Sequence, residues 1–184
     1  LGGSEMCIRD RANDVGGPVS GRADGPSGFF ANVPRSVQTG NTPVKASTDG
    51  TDTTPVITET YIAEIDVVAG IRATGFANFN GTVASGNLKA ILYDSAGKVI
   101  ASSASTTMSG ADAFQRIPFA APINLRPGRY FVGLQVDNTT ARVNTHPIGN
   151  FAAFKKTGEV YGTATAITPV STFTTGLGPM GGLY

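Results

Sequence analysis

The chain has 184 residues, 40% of them hydrophobic and only 15% charged, with a net charge of +1. That length suits one domain with a segment left over. The charge balance excludes both the basic footprint of a nucleic-acid binder and the polybasic patch of a membrane-surface protein. No apolar run approaches the roughly 20 residues that span a bilayer, and no basic stretch followed by an apolar one marks a secretory leader. The single cysteine, Cys7, excludes a disulfide framework within one chain. With 24 glycines and 11 prolines, the composition favours short strands and tight turns over helices.

Leu1 to Arg11 reads LGGSEMCIRDR. The run from Glu5 to Arg11 resembles the translation of a transposon adaptor used in DNA library preparation. The expectation is therefore that residues 1–11 are non-native and that the gene is a metagenomic fragment. Residues 12–53 carry Gly16-Gly17-Pro18, Gly25-Pro26, Pro34, Gly40 and Pro43 and show neither a helical nor a strand period. They read as an extended arm or linker. Phe29-Phe30 stand out there, because two adjacent aromatics in a polar arm need an apolar home on the domain or on a partner.

Residues 54–184 read as one antiparallel β-sandwich, jelly-roll-like, giving an all-β chain. Tyr61, Ala63, Ile65 and Val67 alternate with Ile62, Glu64 and Asp66, a period-2 strand with one wetter face. Ile71 to Phe79 follows, closed by the turn dipeptide Asn80-Gly81. Asn87 to Tyr93, the turn Asp94-Ser95-Ala96-Gly97 and Lys98 to Ala104 form the clearest hairpin. Ser105 to Ala113 reads as a polar loop. Phe114 to Phe119 reads as a short strand in which Pro118 points to an edge or a bulge. Arg129 to Asp137, Ala141 to Thr145, Phe151 to Phe154, Val160 to Ile167 and Val170 to Thr174 complete the expected strands. The spacing, roughly 8–12 residues with turn chemistry between, is that of a sandwich or jelly roll. The glycine-rich end, with Leu177, Met180 and Leu183, suits either a docking tail or a frayed terminus.

Three segments carry a resemblance: Lys89-Ala90-Ile91-Leu92-Tyr93-Asp94-Ser95-Ala96-Gly97, Pro127-Gly128-Arg129-Tyr130-Phe131-Val132-Gly133-Leu134-Gln135, and Gly176-Leu177-Gly178-Pro179. They resemble β-sandwich domains of tailed-phage virion proteins and of related secreted or surface proteins. The resemblance implies a particle-surface or appendage protein, decorating a capsid or forming part of a tail or fibre. The partners it implies are other virion proteins and further copies of itself, a homo-oligomer with a trimer favoured, and a host glycan for a receptor-binding version. Its location would be the virion surface, or alternatively the cell surface or extracellular space.

The chemistry-bearing residues are sparse. His146, the only histidine, stands in Asn144-Thr145-His146-Pro147 with no carboxylate nearby in sequence, and reads as structural. Glu64 and Asp66 share a strand face at roughly 6–7 Å, within the range of a glycosidase pair, but read more simply as a solvated face. Asp49, Asp52, Asp94, Asp112 and Asp137 fall in expected loops without a dense Asp-x-Asp run; they suit turn geometry and leave room for a structural calcium ion. No other cofactor is expected, and no catalytic role is assigned. For sugar stacking the candidate ligand-facing aromatics are Tyr93, Phe131 and Tyr161, of which Tyr93 and Phe131 fall on faces opposite the main apolar alternation, and Tyr130 could also serve. Their rival explanation is a second buried face covered by a neighbouring subunit. A monomeric carbohydrate-binding module is the alternative function.

Overall fold

The computed structural model describes residues 38–39 and 50–184. Leu1 to Arg11, Phe29-Phe30 and Asp49 lie outside the described residues.

No described residue is helical. The strands are β1 (Thr51–Thr53), β2 (Glu59–Val67), β3 (Ile71–Phe79), β4 (Asn87–Tyr93), β5 (Val99–Ser102), β6 (Thr106–Thr107), β7 (Phe114–Leu125), β8 (Gly128–Val136), β9 (Val143–Thr145), β10 (Ala153–Thr157) and β11 (Gly181–Leu183). One sheet has the order β10-β2-β8-β4-β5, with β6 also on β4; the second has the order β11-β3-β7; β1 and β9 form a ribbon. Pairing is antiparallel throughout these strands.

The period-2 patterns explain this arrangement. Ile65 and Val67 of β2, Leu88, Ala90 and Leu92 of β4, and Val132, Leu134 and Val136 of β8 meet Phe76, Ile117, Phe119 and Leu183 from the other sheet in one buried cluster. Two sheets, each apolar on its inner face, bury that face against one another. The sandwich is nearly closed at both margins. On one side Ser103 bridges Phe119; on the other Gln38 bridges Gly182 and Thr39 bridges Ile65.

The hairpin between β4 and β5 turns as the sequence predicts. Asp94 Oδ1 accepts from the amides of Ala96 (3.0 Å) and Lys98 (2.9 Å), and Gly97 takes φ of +83°, open to glycine at little cost. Pro118 does lie in an edge strand, next to a register irregularity between Ala73 and Gly75 of β3. That strand runs on to Leu125, because the edge position leaves Pro118 and Pro122 with no pairing amide to supply.

Three expectations are corrected. Val160 to Ile167 and Val170 to Thr174 form no strand; apart from a bridge at Phe173, they are an irregular strap across the outer face of the first sheet. Gly158 and Gly162 take φ of +74° and +88°, which interrupts extended backbone. Side chains satisfy the strap instead: Lys89 Nζ donates to Gly162 O (2.7 Å) and Gln135 Nε2 to Thr163 O (2.9 Å). Of the two readings of the glycine-rich end the frayed one is overturned: the tail docks on its own domain, where β11 pairs with β3 and Leu183 is buried in the core. Finally, the domain does not begin at residue 54: β1 pairs with β9, and Gln38 and Thr39 are buried within the sandwich.

Candidate functional site

Two places concentrate polar chemistry within this framework: a slot between the margins of β2 and β11, and the sealed outer face of the first sheet.

The slot holds Gln38 and Thr39, both almost wholly buried. The Thr39 amide donates to Gly181 O (2.9 Å). Its hydroxyl accepts from Gly181 N (3.1 Å), lies 3.3 Å from Gly181 O and shares a hydrogen bond of 3.0 Å with His146 Nε2. His146 reaches the slot because its own backbone is fixed by β9 and the tail: its amide donates to Gly178 O (2.9 Å) and its carbonyl accepts from Gly176 N (3.2 Å). Phe151 stands edge-on to the imidazole at 4.8 Å between centroids. This enclosure disfavours the imidazolium and lowers the His146 pKa to about 4.

That shift makes a pH prediction. The unfolded chain takes up the His146 proton below about pH 6.5, and the folded chain only below about pH 4. The stabilising effect of neutral His146 is therefore present above pH 6.5 and is lost as pH falls toward 4. Between pH 7 and pH 5, ahead of most carboxylates, urea unfolding should show a loss of about 2 kcal/mol. His146→Gln should flatten this dependence.

The outer face contains Ile62, Ile91, Tyr93 and Phe131, covered by Ala152 and Ile167 with Val99, Phe154 and Ala164 around them. Tyr93 and Phe131 are each fully buried, so neither is a ligand-facing aromatic, and the covering segment belongs to the same chain rather than to a neighbouring subunit. The cause is apolar residues on both sides of a central strand, which the chain's own strap shields. Phe154 packs edge-on to Phe131 at 6.0 Å and the Arg129 guanidinium lies 4.8 Å from its ring centre. Tyr161 is half-buried at the margin of the strap, where its hydroxyl and that of Ser105 are 2.7 Å apart.

Beside this face lies a polar cluster that sequence reasoning missed. Glu159 is buried, pairs with Lys156 (2.8 Å) and accepts from Thr60 (3.4 Å) and Thr165 (2.7 Å). Gln135 Nε2 donates to Thr60 Oγ1 (2.9 Å). The Tyr93 hydroxyl finds no hydrogen-bond partner among the described residues, and burial together with the Glu159 charge pushes its pKa far up. Glu59 is nearby in sequence but engaged separately, with Lys155 (2.6 Å) and the Tyr61 hydroxyl (2.9 Å).

The remaining candidates do not converge. Glu64 pairs with Arg129 (3.1 Å) and accepts from Ala152 N (2.9 Å), while Asp66 is exposed. Asp52 accepts from the amide and hydroxyl of Thr82. Burial works against the Asp137 charge, but donors from Asn87 and Asn138 outweigh it and hold the carboxyl below its usual range. Among the described residues no three His, Cys, Asp or Glu side chains gather as metal ligands, and no helix is long and apolar enough to cross a membrane. The chain matches no protein-family model, no curated protein and no solved structure.

Proposed function

We propose that this chain is a non-catalytic structural protein of a tailed-phage particle, decorating the capsid or forming part of a tail or fibre. It acts through burial of apolar surface against copies of itself and other particle proteins. The observation that carries this reading is the anchored Gln38–Thr39 step. Thr39 is a buried, hydrogen-bonded point, and it would give a tether built from the residues before it a defined origin. Phe29 is nine residues from Gln38, so Phe29-Phe30 act within roughly 32 Å of the slot by chain length alone. The three segments that resemble phage β-sandwich domains support the same reading. So do the exposed apolar side chains Val68, Ile148 and Val160, which are aliphatic and suit protein contact better than sugar stacking.

A carbohydrate-binding module is the weaker reading, because two of its candidate stacking rings, Tyr93 and Phe131, are sealed inside the domain. Light scattering after size exclusion tests both. The full chain should run as a discrete homo-oligomer, a trimer on this reading. Phe29→Ser with Phe30→Ser should lower its mass while the melting temperature stays the same. A monomer that binds a glycan array would overturn the proposal.

A further inference from the structure

Every contact of Gln38 and Thr39 described above is to a part of the chain distant in sequence: Gly182, Gly181, His146 and Ile65. Slot and occupant are separate pieces joined by a connection. The two ends of that connection lie close together. Thr39 is hydrogen-bonded to Gly181, and a side chain on Gly50 would begin 2.6 Å from the sulfur of Met180, the residue before Gly181. Thr39 and Gly50 thus both lie against the Met180-Gly181 step, a gap that fewer than ten extended residues would span. Residues 40–49 supply ten, a reach of about 35 Å.

We propose that the slot between β2 and β11 is a strand-acceptor site which, in assemblies, is filled by the Gln38–Thr39 step of a second copy of this chain. This rests on the self-associating reading above and gives it a mechanism. The same bridges and hydrogen bonds form whether the occupant comes from the same chain or from a neighbour, so the choice is one of chain entropy and local concentration. A connection of only ten residues sets an effective concentration on the order of millimolar for the chain's own segment, which favours that segment in dilute solution. Copies packed side by side offer each other a comparable concentration, and the surplus of residues 40–49 then reaches a facing slot. Selectivity resides in Thr39: its hydroxyl meets both His146 Nε2 and the Gly181 amide, so an occupant without a hydroxyl there leaves both unmatched.

The test uses the full chain with Cys7→Ser, Gln38→Cys and Gly182→Cys. Gln38 and Gly182 face each other across an antiparallel bridge, a separation a disulfide accepts. Refolded and oxidised at about 10 μM it should give intrachain-linked monomers, and at about 1 mM covalent dimers and larger species on non-reducing gels. Intrachain links alone at both concentrations would overturn strand exchange. A disulfide-free arm guards against a damaged variant: tagged and untagged native chains refolded together at about 1 mM should co-purify, and Thr39→Asp in both should abolish it. Absence of co-purification would count against exchange equally. Exchange should survive Phe29→Ser with Phe30→Ser. Oligomers that persist with intrachain links only would leave the particle reading standing while removing this one.

Discussion

Replacing Thr39 by valine is expected to destabilise the domain by about 2–4 kcal/mol, although the residue precedes the first strand of the sandwich by more than ten positions. Valine keeps the shape and the strand preference of threonine, so the backbone bond to Gly181 O should survive. What disappears is the hydroxyl, leaving the Gly181 amide and His146 Nε2 buried without their partner. Each such orphan costs about 1–3 kcal/mol. For a domain of this size the melting temperature should fall by roughly 6–12 °C. Thr39→Ser, which restores the hydroxyl, should recover most of the loss. Were residues 38–39 a dispensable part of an arm, both changes would stay within about 0.5 kcal/mol in urea unfolding.

Phe131→Ala is expected to cost about 3–5 kcal/mol, because it empties the centre of the cluster beneath the strap, where Ile62, Ile91, Tyr93 and Ile167 meet. The strap should loosen with it, since its apolar attachment runs through Ile167 and Ala164. Hydrogen exchange at the Ile167 amide, which donates to Gly97 O (2.9 Å), reports that directly. Tyr93→Phe should have the opposite character. Its hydroxyl is buried without a partner among the described residues and close enough to Glu159 to feel that charge, so removing it should leave stability unchanged or raise it by up to about 1 kcal/mol. A sugar-stacking surface would behave otherwise: both changes would reduce glycan affinity and Phe131→Ala would leave folding almost untouched.

These two sites show where sequence reasoning reached and where it stopped. Alternation in β2, β4 and β8 identified the inner face because a strand displays its two faces in strict turn. The same alternation showed that Tyr93 and Phe131 lie on the other face, but periodicity says nothing about what covers a face. The cover is a segment with alternating small and polar residues that reads like two strands, Val160 to Ile167 and Val170 to Thr174. Its extended state is broken by glycines at positive φ and its amides and carbonyls are met by Lys89, Gln135 and Gly97. Such partners lie far off in the sequence. The slot was not legible: Gln38 and Thr39 sit between Pro34 and Gly40, in a stretch whose prolines and glycines read as an arm.

Local pattern is enough for the all-β class, for the longer central strands and the Asp94–Gly97 turn, and for placing Pro118 at an edge or a bulge. Those features follow from local sterics and from a period of two, which each segment carries within itself. It takes the packed fold to turn the glycine-rich end into β11, to place Gln38 and Thr39 within the sandwich, and to cover Tyr93 and Phe131 with the strap rather than a ligand or a neighbour. Each of those outcomes depends on which distant backbone edge or apolar face is left unpaired once the two sheets have packed, a quantity defined by the assembled fold and not by any segment alone.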